Sequence, residues 1–501
     1  MEQIFMKKIN LLAIVFCFNL CSINIFAQQL QLSATSIDEI SLGYTKVIGQ
    51  DEDGYFVLMS NLSLNSESDR VGFKNRKYKL TYFNTALNLV WEKNLESFSN
   101  DAVIDAVTFF NGKIVVISSL QKRSENLVNY YVTTYDNSGM PIQNDKPITS
   151  FSAGKYDYEK SKVILSSGRN RIMIVTREYS GDNTQTVFAA VLDTSFTELE
   201  KKNVIIPFPV KSFDVTSYVV SDKNDVLLLG LSSEKIKVLS SKRKIDYYLY
   251  SSRTGDTVFK EFKISSDKNI TGLGVAFDNI NNLAVFAGFF SERESYTGSG
   301  ILYATLDMAL NDEVKIKTTS LDGPQNSRLR GERNSASGLS LIGYPIDRIV
   351  LRDDGGAVIV AEAAYTTEYS YYDSFSQSFT RRLEYHFESV AVISINVDGS
   401  IHWNAVVEKD QVSMDDGGVF SSFCSLLNSE NLVILYNAEI TKRNKVLFAT
   451  IDNKGTPTKG TSIASTEGLL LLPKSGKQVG ENAILVPAYL KRKLYLALFT
   501  L

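Results

Sequence analysis

A short turn sequence recurs along the chain at a nearly constant spacing. In each copy an apolar strand ends close to Asn or Asp, a few turn residues follow, and a second apolar strand begins. Neighbouring copies are 52 to 58 residues apart, except that 89 residues separate the fifth from the sixth. A fixed period in this range predicts a repeat architecture. The copies begin at Phe83, Tyr135, Leu192, Tyr250, Leu306, Ile395 and Ile451.

Each period contains short β-rich runs rather than helical ones. Apolar residues do not recur at helical spacing over the length that a helix needs. Turns rich in Asn, Asp and Gly lie between the runs, and these residues supply the positive φ angles of tight hairpins. We divide the period into four strands, A to D in chain order. In the first repeat we predict them near residues 40–48, 55–61, 78–83 and 88–95.

The strand count predicts how the repeats close. Eight B–C pairs follow one another, and the last, at residues 483–487 and 494–499, leaves no room for a D strand. A further strand at residues 30–33 supplies the missing one. Four-stranded units repeated around an axis form a β-propeller. We therefore predict an all-β fold, a single β-propeller of four-stranded blades closed by an N-terminal strand, with eight blades or, alternatively, seven.

The N-terminus has the pattern of a secretory signal peptide. Lys7 and Lys8 precede an apolar stretch, and Ala27 offers a small residue for cleavage. We predict a signal peptide at residues 1–27 and a propeller domain at residues 28–501, exported to the periplasm or extracellular space of a Gram-negative bacterium. The two cysteines in the leader make lipidation an alternative, although each follows a large residue. No later apolar stretch has the length of a transmembrane helix.

Two tryptophans occupy equivalent positions in the repeat. Trp91 follows Asn84 at the same distance at which Trp403 follows Asn396. Together with the Asn-turn-apolar pattern, this arrangement resembles quinoprotein-like (PQQ-like) propeller repeats and other exported bacterial propellers. The resemblance covers the chain after the leader and implies the fold alone. Both indoles are interpreted as blade-packing residues, and no cofactor is predicted.

The composition argues against several functions. Lysine and arginine number 53 and aspartate and glutamate 56, so the net charge of -3 provides no basic excess for nucleic acid. Two histidines and three cysteines leave few ligands for a zinc site. No G-x-S-x-G nucleophile motif and no phosphate-binding glycine loop occurs. We therefore predict no catalytic residues, no metal site and no nucleic-acid partner.

Two connections are longer than the repeat requires, and both are expected on the top face of the propeller, side by side. Residues 321–345 precede the sixth blade, and residues 365–387 join its B and C strands as a loop. Arginine with tyrosine is typical of recognition surfaces, although the aromatic residues of the second connection alternatively extend a hairpin. The predicted ligand-binding residues are Arg328, Arg330 and Arg333 in the first connection and Tyr369, Tyr371, Tyr372, Arg381, Arg382 and His386 in the second.

Acidic residues near the sixth blade raise two further hypotheses. Asp410, Asp415 and Asp416 follow this blade and form either a solvated turn, which we favour, or a calcium site. Glu362 lies in the apolar B strand. We interpret it as a strand-end acid paired with a neighbouring arginine rather than as a channel acid with a raised pKa.

These observations favour a binding function over catalysis. We predict a non-catalytic exported propeller that binds a protein partner or a cell-envelope glycan through its top-face loops near blades five to seven, as a monomer or a peripheral subunit. The alternative is a propeller glycoside hydrolase or lyase that uses carboxylates around the central channel. A buried acid pair about 5 to 10 Å apart in that channel would favour the alternative.

Overall fold

The chain folds into small β-sheets that follow one another in sequence. The computed structural model describes residues 29–34, 43–63, 77–152, 161–179, 184–235, 243–291, 299–325, 329, 344–373, 377–464 and 466–501. These residues form eight antiparallel sheets, besides helical residues 323–325 and 329 and a 3-10 helix at Pro473–Ser475. Within the described ranges, no helix has the length and apolar character needed to cross a membrane.

Seven sheets consist of strands that are consecutive in the chain. The first strand, β1 (Gln29–Leu32), belongs to the eighth sheet. The first to fourth sheets comprise β2 (Gly43–Gln50), β3 (Gly54–Ser63), β4 (Tyr78–Asn84) and β5 (Leu89–Leu95); β6 (Ala102–Phe110), β7 (Lys113–Lys122), β8 (Leu127–Tyr135) and β9 (Pro141–Ser152); β10 (Lys162–Leu165), β11 (Ile172–Tyr179), β12 (Gln185–Leu192) and β13 (Glu198–Ile206); and β14 (Phe213–Val220), β15 (Val226–Lys235), β16 (Arg243–Ser252) and β17 (Lys260–Ile264).

The next three sheets repeat this order, with one additional strand in the sixth. They comprise β18 (Asn269–Asp278), β19 (Leu283–Ser291), β20 (Ser299–Asp307) and β21 (Val314–Ser320); β22 (Ile346–Leu351), β23 (Ala357–Asp373), β24 (Ser378–Ile395) and β25 (Ile401–Val407), with β26 (Gln411–Met414) paired to β24; and β27 (Phe423–Leu427), β28 (Asn431–Asn437), β29 (Val446–Asp452) and β30 (Thr461–Ser462).

The eighth sheet is built from both ends of the chain. It contains β31 (Leu470–Leu471), β32 (Lys477–Gln478), β33 (Ala483–Leu490) and β34 (Lys493–Thr500), and β1 forms its outer strand. Gln29 pairs with Thr500 and Leu32 with Ala497 in antiparallel register. The predicted closure by an N-terminal strand is therefore confirmed.

Successive sheets pack face to face and enclose a hydrophobic core between each pair. Phe56 and Ile114 are buried between the first and second sheets, and Val57 is buried with Leu496 between the first and the eighth. The described residues contain eight such cores, one for every pair of neighbouring sheets, including the last and the first. Sheets that pack in a closed ring form a multi-blade propeller. The predicted fold is confirmed.

The middle strands of each sheet carry most of the core. In β7, the residues Ile114, Val115, Val116 and Ile117 are all buried. A blade is covered on both faces by its neighbours, so its central strands read as continuous apolar runs rather than as alternating ones. The strand after β7 and β8 in this sheet, β9, is far more exposed. The innermost strands are β2, β6, β10, β14, β18, β22 and β27, with β31 and β32 in the eighth sheet, and they surround the central channel.

The two tryptophans make the same contact in different blades. A Cβ at Gly139 would lie 3.2 Å from the ring of Trp91, and a Cβ at Gly455 would lie 2.6 Å from the ring of Trp403. Both glycines have positive φ and belong to the C–D turn of the following blade. The Trp91 Nε1–H also donates to the carbonyl of Asn137, at 3.2 Å. Each indole therefore packs on a tight turn that only glycine forms without strain.

A loop was predicted at residues 365–387, and this prediction was wrong. In the structure these residues form the outer part of a long hairpin. Strands β23 and β24 continue as a regular antiparallel pair up to the pairing of Asp373 with Ser378. The structure therefore has the alternative that the sequence left open, in which the aromatic residues of this connection extend a hairpin. In such a ladder alternate residues of each strand exchange backbone hydrogen bonds with the neighbouring strand, which an extended loop of this length does not provide.

Candidate functional site

The hairpin and β26 form a three-stranded projection that we call the sixth-sheet extension. It comprises residues 364–373 of β23, residues 378–387 of β24 and the whole of β26. β26 pairs with β24 from Glu384 opposite Met414 to Phe387 opposite Gln411. The extension lies at the B–C end of the sixth sheet, which is the top face of the propeller.

Three tyrosines lie on one face of this extension. Tyr365, Tyr369 and Tyr371 are separated by even numbers of residues along β23, so their side chains emerge on the same side of the sheet. Their exposed fractions are 43%, 41% and 40%. Rings held on a paired strand are already ordered, and a partner would meet them at little entropic cost.

The neighbouring strands complete this face. His386 is opposite Tyr365, and Arg382 is opposite Tyr369. On β26, two apolar side chains on the same side are exposed, at 42% and 50%. We call the whole surface the tyrosine face, and it consists of Tyr365, Tyr369, Tyr371, Arg382, His386, Val412 and Met414.

The inner end of the tyrosine face is a stacked pair of rings. The rings of Tyr365 and His386 are nearly parallel, at 9°, with their centroids 4.5 Å apart. The Tyr365 hydroxyl donates to Glu388 at 2.8 Å, and His386 Nε2 lies 3.1 Å from Glu384. Burial and then the Glu388 hydrogen bond raise the pKa of Tyr365 to about 12. The phenol is therefore held neutral and fixed in orientation.

The outer end is organised around Arg382. Its guanidinium ion-pairs with Asp415, contacts the Tyr371 hydroxyl at 3.4 Å and lies 5.8 Å from the centroid of the Tyr371 ring. Asp415 also accepts the backbone N–H of Leu383 at 2.9 Å. The Leu383 N–H and then Arg382 lower the pKa of Asp415. Arg382 is thus held in place by the turn after β26 and keeps part of its surface open to solvent.

The opposite face of the extension carries two other predicted residues, Tyr372 and Arg381. Tyr372 is opposite Phe379, and their rings meet edge to face with centroids 5.4 Å apart. Arg381 forms an ion pair with Glu368. Tyr372 and Arg381, which the sequence analysis grouped with the others, therefore lie on a different surface from Tyr369 and Arg382. Strand alternation, which a loop prediction does not use, separates the two groups.

Beneath the extension is a buried ion pair. Lys409 Nζ lies 2.6 Å from Glu362 Oε1, and the Ser422 hydroxyl donates to Glu362 Oε2 at 2.5 Å. Lys409 also donates to the carbonyl of Phe387 and to Gln411 Oε1, at 3.1 and 2.9 Å. Burial lowers the pKa of Lys409, and Glu362 opposes that effect. The interpretation of Glu362 as a paired acid holds, but its predicted arginine partner was wrong: the cation is a lysine of the connection after β25.

The acidic turn after β26 is occupied by protein partners. Asp416 accepts the Ser413 hydroxyl at 2.6 Å and the backbone N–H of Gly418 at 2.8 Å. Asp415 belongs to the Arg382 pair described above. Within the described ranges, no group of three His, Cys, Asp or Glu side chains is placed to hold a metal ion.

The structure describes only a small part of the first long connection, residues 321–345. Arg328, Arg330 and Arg333 lie outside the described residues. Of the connection that contains them, Leu329 and Tyr344 are buried, and the Tyr344 hydroxyl donates to the carbonyl of Leu329 at 2.8 Å. These two residues join the core between the fifth and sixth sheets. The part that is described therefore packs on the propeller.

The nucleophile candidates have structural contacts. Cys424 is buried, its Sγ–H is directed at the carbonyl of Leu435 at 3.8 Å, and burial raises the pKa of the thiol to about 12. His402 Nδ1 lies 3.2 Å from the guanidinium of Arg352. A buried neutral thiol and an imidazole beside a cation are poor choices for nucleophilic and base chemistry, respectively.

The contribution of β26 to the candidate site was not predicted from the sequence. Gln411 and Ser413 are buried in this strand, whereas Val412 and Met414 are exposed. The polar side chains thus face inward and the apolar ones outward. The alternation of polar and apolar residues over Gln411–Met414 is the signal that could have identified a strand here, and two exposed apolar residues at alternate positions are unusual for a solvated turn.

Comparisons with known proteins give similarity in fold only. No family model matches the sequence, and no curated protein matches it. Sqt1 of Chaetomium thermophilum is similar over 92% of this chain and 97% of its own, with 10% identity and a TM-score of 0.42. An α-L-arabinanase of Penicillium chrysogenum covers 67% and 93%, with 10% identity and a TM-score of 0.31. The polysaccharide lyase Uly1 covers 79% and 89%, with 11% identity and a TM-score of 0.31.

Proposed function

We propose that this chain is a binding protein that recognises a protein partner through the tyrosine face. The observation that carries the proposal is the placement of Tyr365, Tyr369 and Tyr371 on one exposed side of a paired strand. Tyrosine, arginine and methionine are enriched in the centres of protein interfaces. The tyrosine face combines all three residue types, with Arg382 and Met414 beside the three tyrosines.

The fixed geometry of the face supports binding rather than simple surface packing. Tyr365 is held by His386 and Glu388, and Arg382 is held by Asp415. Side chains ordered before a partner arrives lose less conformational entropy on association. Aromatic and arginine side chains in such positions commonly carry most of the binding free energy.

The experiment compares the two sides of the same hairpin. Tyr369→Ser/Tyr371→Ser alters the tyrosine face, and Tyr372→Ser/Phe379→Ser is the matched control on the opposite face. The chain from residue 28 would be cross-linked in envelope extract, and a captured partner would be purified and titrated against each variant. We expect the first variant to weaken binding by at least about tenfold and the control to stay within about twofold. Equal affinities of both variants would contradict the proposal.

We also propose that the chain is exported and loses residues 1–27, which lie outside the described residues. The support is the basic start, the apolar stretch and the small Ala27 of the leader. N-terminal sequencing of the protein from cells is expected to begin at Gln28. A sequence that begins at Met1, or a lipid on Cys21, would overturn this assignment.

The alternative function is cleavage of a glycan in the central channel, by hydrolysis or by the elimination reaction of a lyase. Two acids of the innermost strands have arginine neighbours: Asp214 lies 3.1 Å from Arg177, and Asp347 lies 3.1 Å from Arg348. Activity of the purified chain on envelope glycans, abolished by Asp214→Asn or Asp347→Asn, would favour this alternative.

A further inference from the structure

Two cations bind backbone carbonyls at the central channel. Lys477 Nζ on β32 donates to the carbonyl of Ile48 on β2, at 2.7 Å. The guanidinium of Arg169, in the turn between β10 and β11, donates to the carbonyl of Phe109 on β6. The innermost strand of a blade has no partner strand on the channel side, so its carbonyls there are open to such donors.

These two carbonyls are close to each other. Gly49 follows Ile48, and a Cβ at Gly49 would lie only 2.3 Å from the Cβ of Phe109. Strands β2 and β6 therefore approach closely at this level of the channel, and they bring the two cations to one place. Lys46 lies two residues before Ile48 on the same innermost strand.

The three cations lack the carboxylate partners that two other arginines have. Arg177 on β11 lies 3.1 Å from Asp214 of the innermost strand β14, and Arg348 on β22 lies 3.1 Å from Asp347 of the same strand. By contrast, Lys46, Arg169 and Lys477 form no ion pair with any carboxylate in the part of the chain that the structure describes. Asp222, whose carboxylate accepts the backbone N–H of Gly168 beside Arg169 at 3.1 Å, is engaged in that hydrogen bond.

The electrostatics of the cluster follow from this arrangement. Burial, together with the positive charges of Arg169 and Lys46, lowers the pKa of Lys477 to about 8. Lys46 is accessible to solvent, yet burial lowers its pKa as well, as expected for a side chain inside a channel. The hydrogen bonds to open carbonyls account for the positions of Lys477 and Arg169 but not for that of Lys46. An anion would neutralise all three.

We propose that Lys46, Arg169 and Lys477 form a binding site for an oxyanion group, either a tetrahedral one such as sulfate or phosphate or a carboxylate. Guanidinium and ammonium groups are the common protein ligands of such groups. The site lies in the channel and is separate from the tyrosine face. It therefore stands or falls independently of the function proposed above.

Calorimetric titration of the chain from residue 28 tests the site. Inorganic sulfate and glucuronate serve as separate probes. The probe that binds with the higher affinity shows whether the site prefers a tetrahedral oxyanion or a carboxylate. We expect single-site binding of at least one probe. Absence of binding of both probes at concentrations up to about 50 mM, where a useful site would be filled, would overturn the proposal.

Single substitutions assign the binding to the cluster. Lys477→Met and Lys46→Met are each expected to weaken binding by at least about tenfold. Lys260→Met is the matched control, because Lys260 Nζ also binds a backbone carbonyl at 2.7 Å, that of Asn311, but on the outer strand β17. Circular dichroism verifies that each variant is folded. Lys46 makes no hydrogen bond with a described residue, so its removal tests charge alone. Unchanged affinity in both channel variants would overturn the site.

The pH dependence of the binding affinity distinguishes an anion-binding lysine from one with a purely structural role. Strands β2, β27 and β33 pack around Lys477. Of these, β2 carries Lys46, whereas β27 and β33 carry no charged residue. Arg169 is the other charged neighbour of Lys477. Because Lys477 loses its proton near pH 8, affinity should fall by about tenfold between about pH 7 and pH 9. In Lys477→Met this fall should be absent. The same fall in that variant would contradict the assignment.

Discussion

The ammonium group of Lys409 lies 2.6 Å from Oε1 of Glu362, in the interior beneath the sixth-sheet extension. Both side chains are buried, with exposed fractions of 1% and 7%. Ser422 binds the second carboxylate oxygen, and Gln411 binds the ammonium. Gln411 belongs to β26, so this pair connects the strand that carries Val412 and Met414 to the propeller beneath it.

Removing one member of this pair is expected to destabilise the protein. Lys409→Met leaves the Glu362 carboxylate buried without its cation, which typically costs about 3–5 kcal/mol in the free energy of unfolding. Urea denaturation measures the change. The double variant Lys409→Met/Glu362→Met is the control, because it leaves no unpaired charge and should recover much of the loss. A neutral single variant would contradict the role assigned to the pair.

The contact between Trp403 and Gly455 predicts an asymmetry between two glycines. Gly455→Ala places a Cβ against the indole at a positive φ, whereas Gly255→Ala has a similar φ of +81° and open space around it. The backbone term alone costs about 1–2 kcal/mol. Thermal unfolding should therefore show a larger loss for Gly455→Ala. Equal losses would mean that the indole adjusts and does not fix the turn.

Strand β1 is expected to stabilise the ring although it has only four residues. A chain that begins at residue 35 leaves β34 as an open edge and uncovers the core against which Leu30 and Leu32 pack. We expect a lower melting temperature and concentration-dependent association, compared with the chain from residue 28. The same melting temperature for both chains would show that closure contributes nothing.

The thiol of Cys424 is expected to be unreactive in the folded protein. Burial raises its pKa to about 12, so the folded state keeps the proton that the unfolded state loses above about pH 9. The contribution of this group to stability therefore falls as the pH rises from about 9 towards 12. In the chain from residue 28, Ellman's reagent at about pH 8 should label the thiol only after unfolding. Rapid labelling of the native protein would contradict its burial.

Much of the fold could be predicted because the repeat leaves a regular trace. Polar turns at a constant spacing mark the blade hairpins, and the missing last strand indicates the closure by β1. Strand β4, for example, begins at Tyr78 as predicted and ends at Asn84, one residue later than predicted. These features depend on local sequence, in which apolar runs and turn residues are directly visible.

The composition of the candidate site could be predicted from the sequence, but the arrangement of its residues could not. Beyond the body of the propeller both faces of β23 and β24 meet solvent, so tyrosines occur on either side and no inside–outside alternation marks the strands. Tyr371 and Tyr372 are adjacent in sequence and point to opposite faces. The pairing of Glu362 with Lys409 joins residues far apart in the chain, and no sequence pattern specifies it.

The most direct test of the binding function places a photo-activatable amino acid at two positions of the hairpin. Tyr369 and Phe379 are both exposed, at 41% and 76%, and lie on opposite faces of the extension. We expect a cross-linked partner from position 369 in cells and none from position 379, despite the greater exposure of Phe379. Cross-links from position 379 alone, or the same products from both positions, would contradict recognition through the tyrosine face.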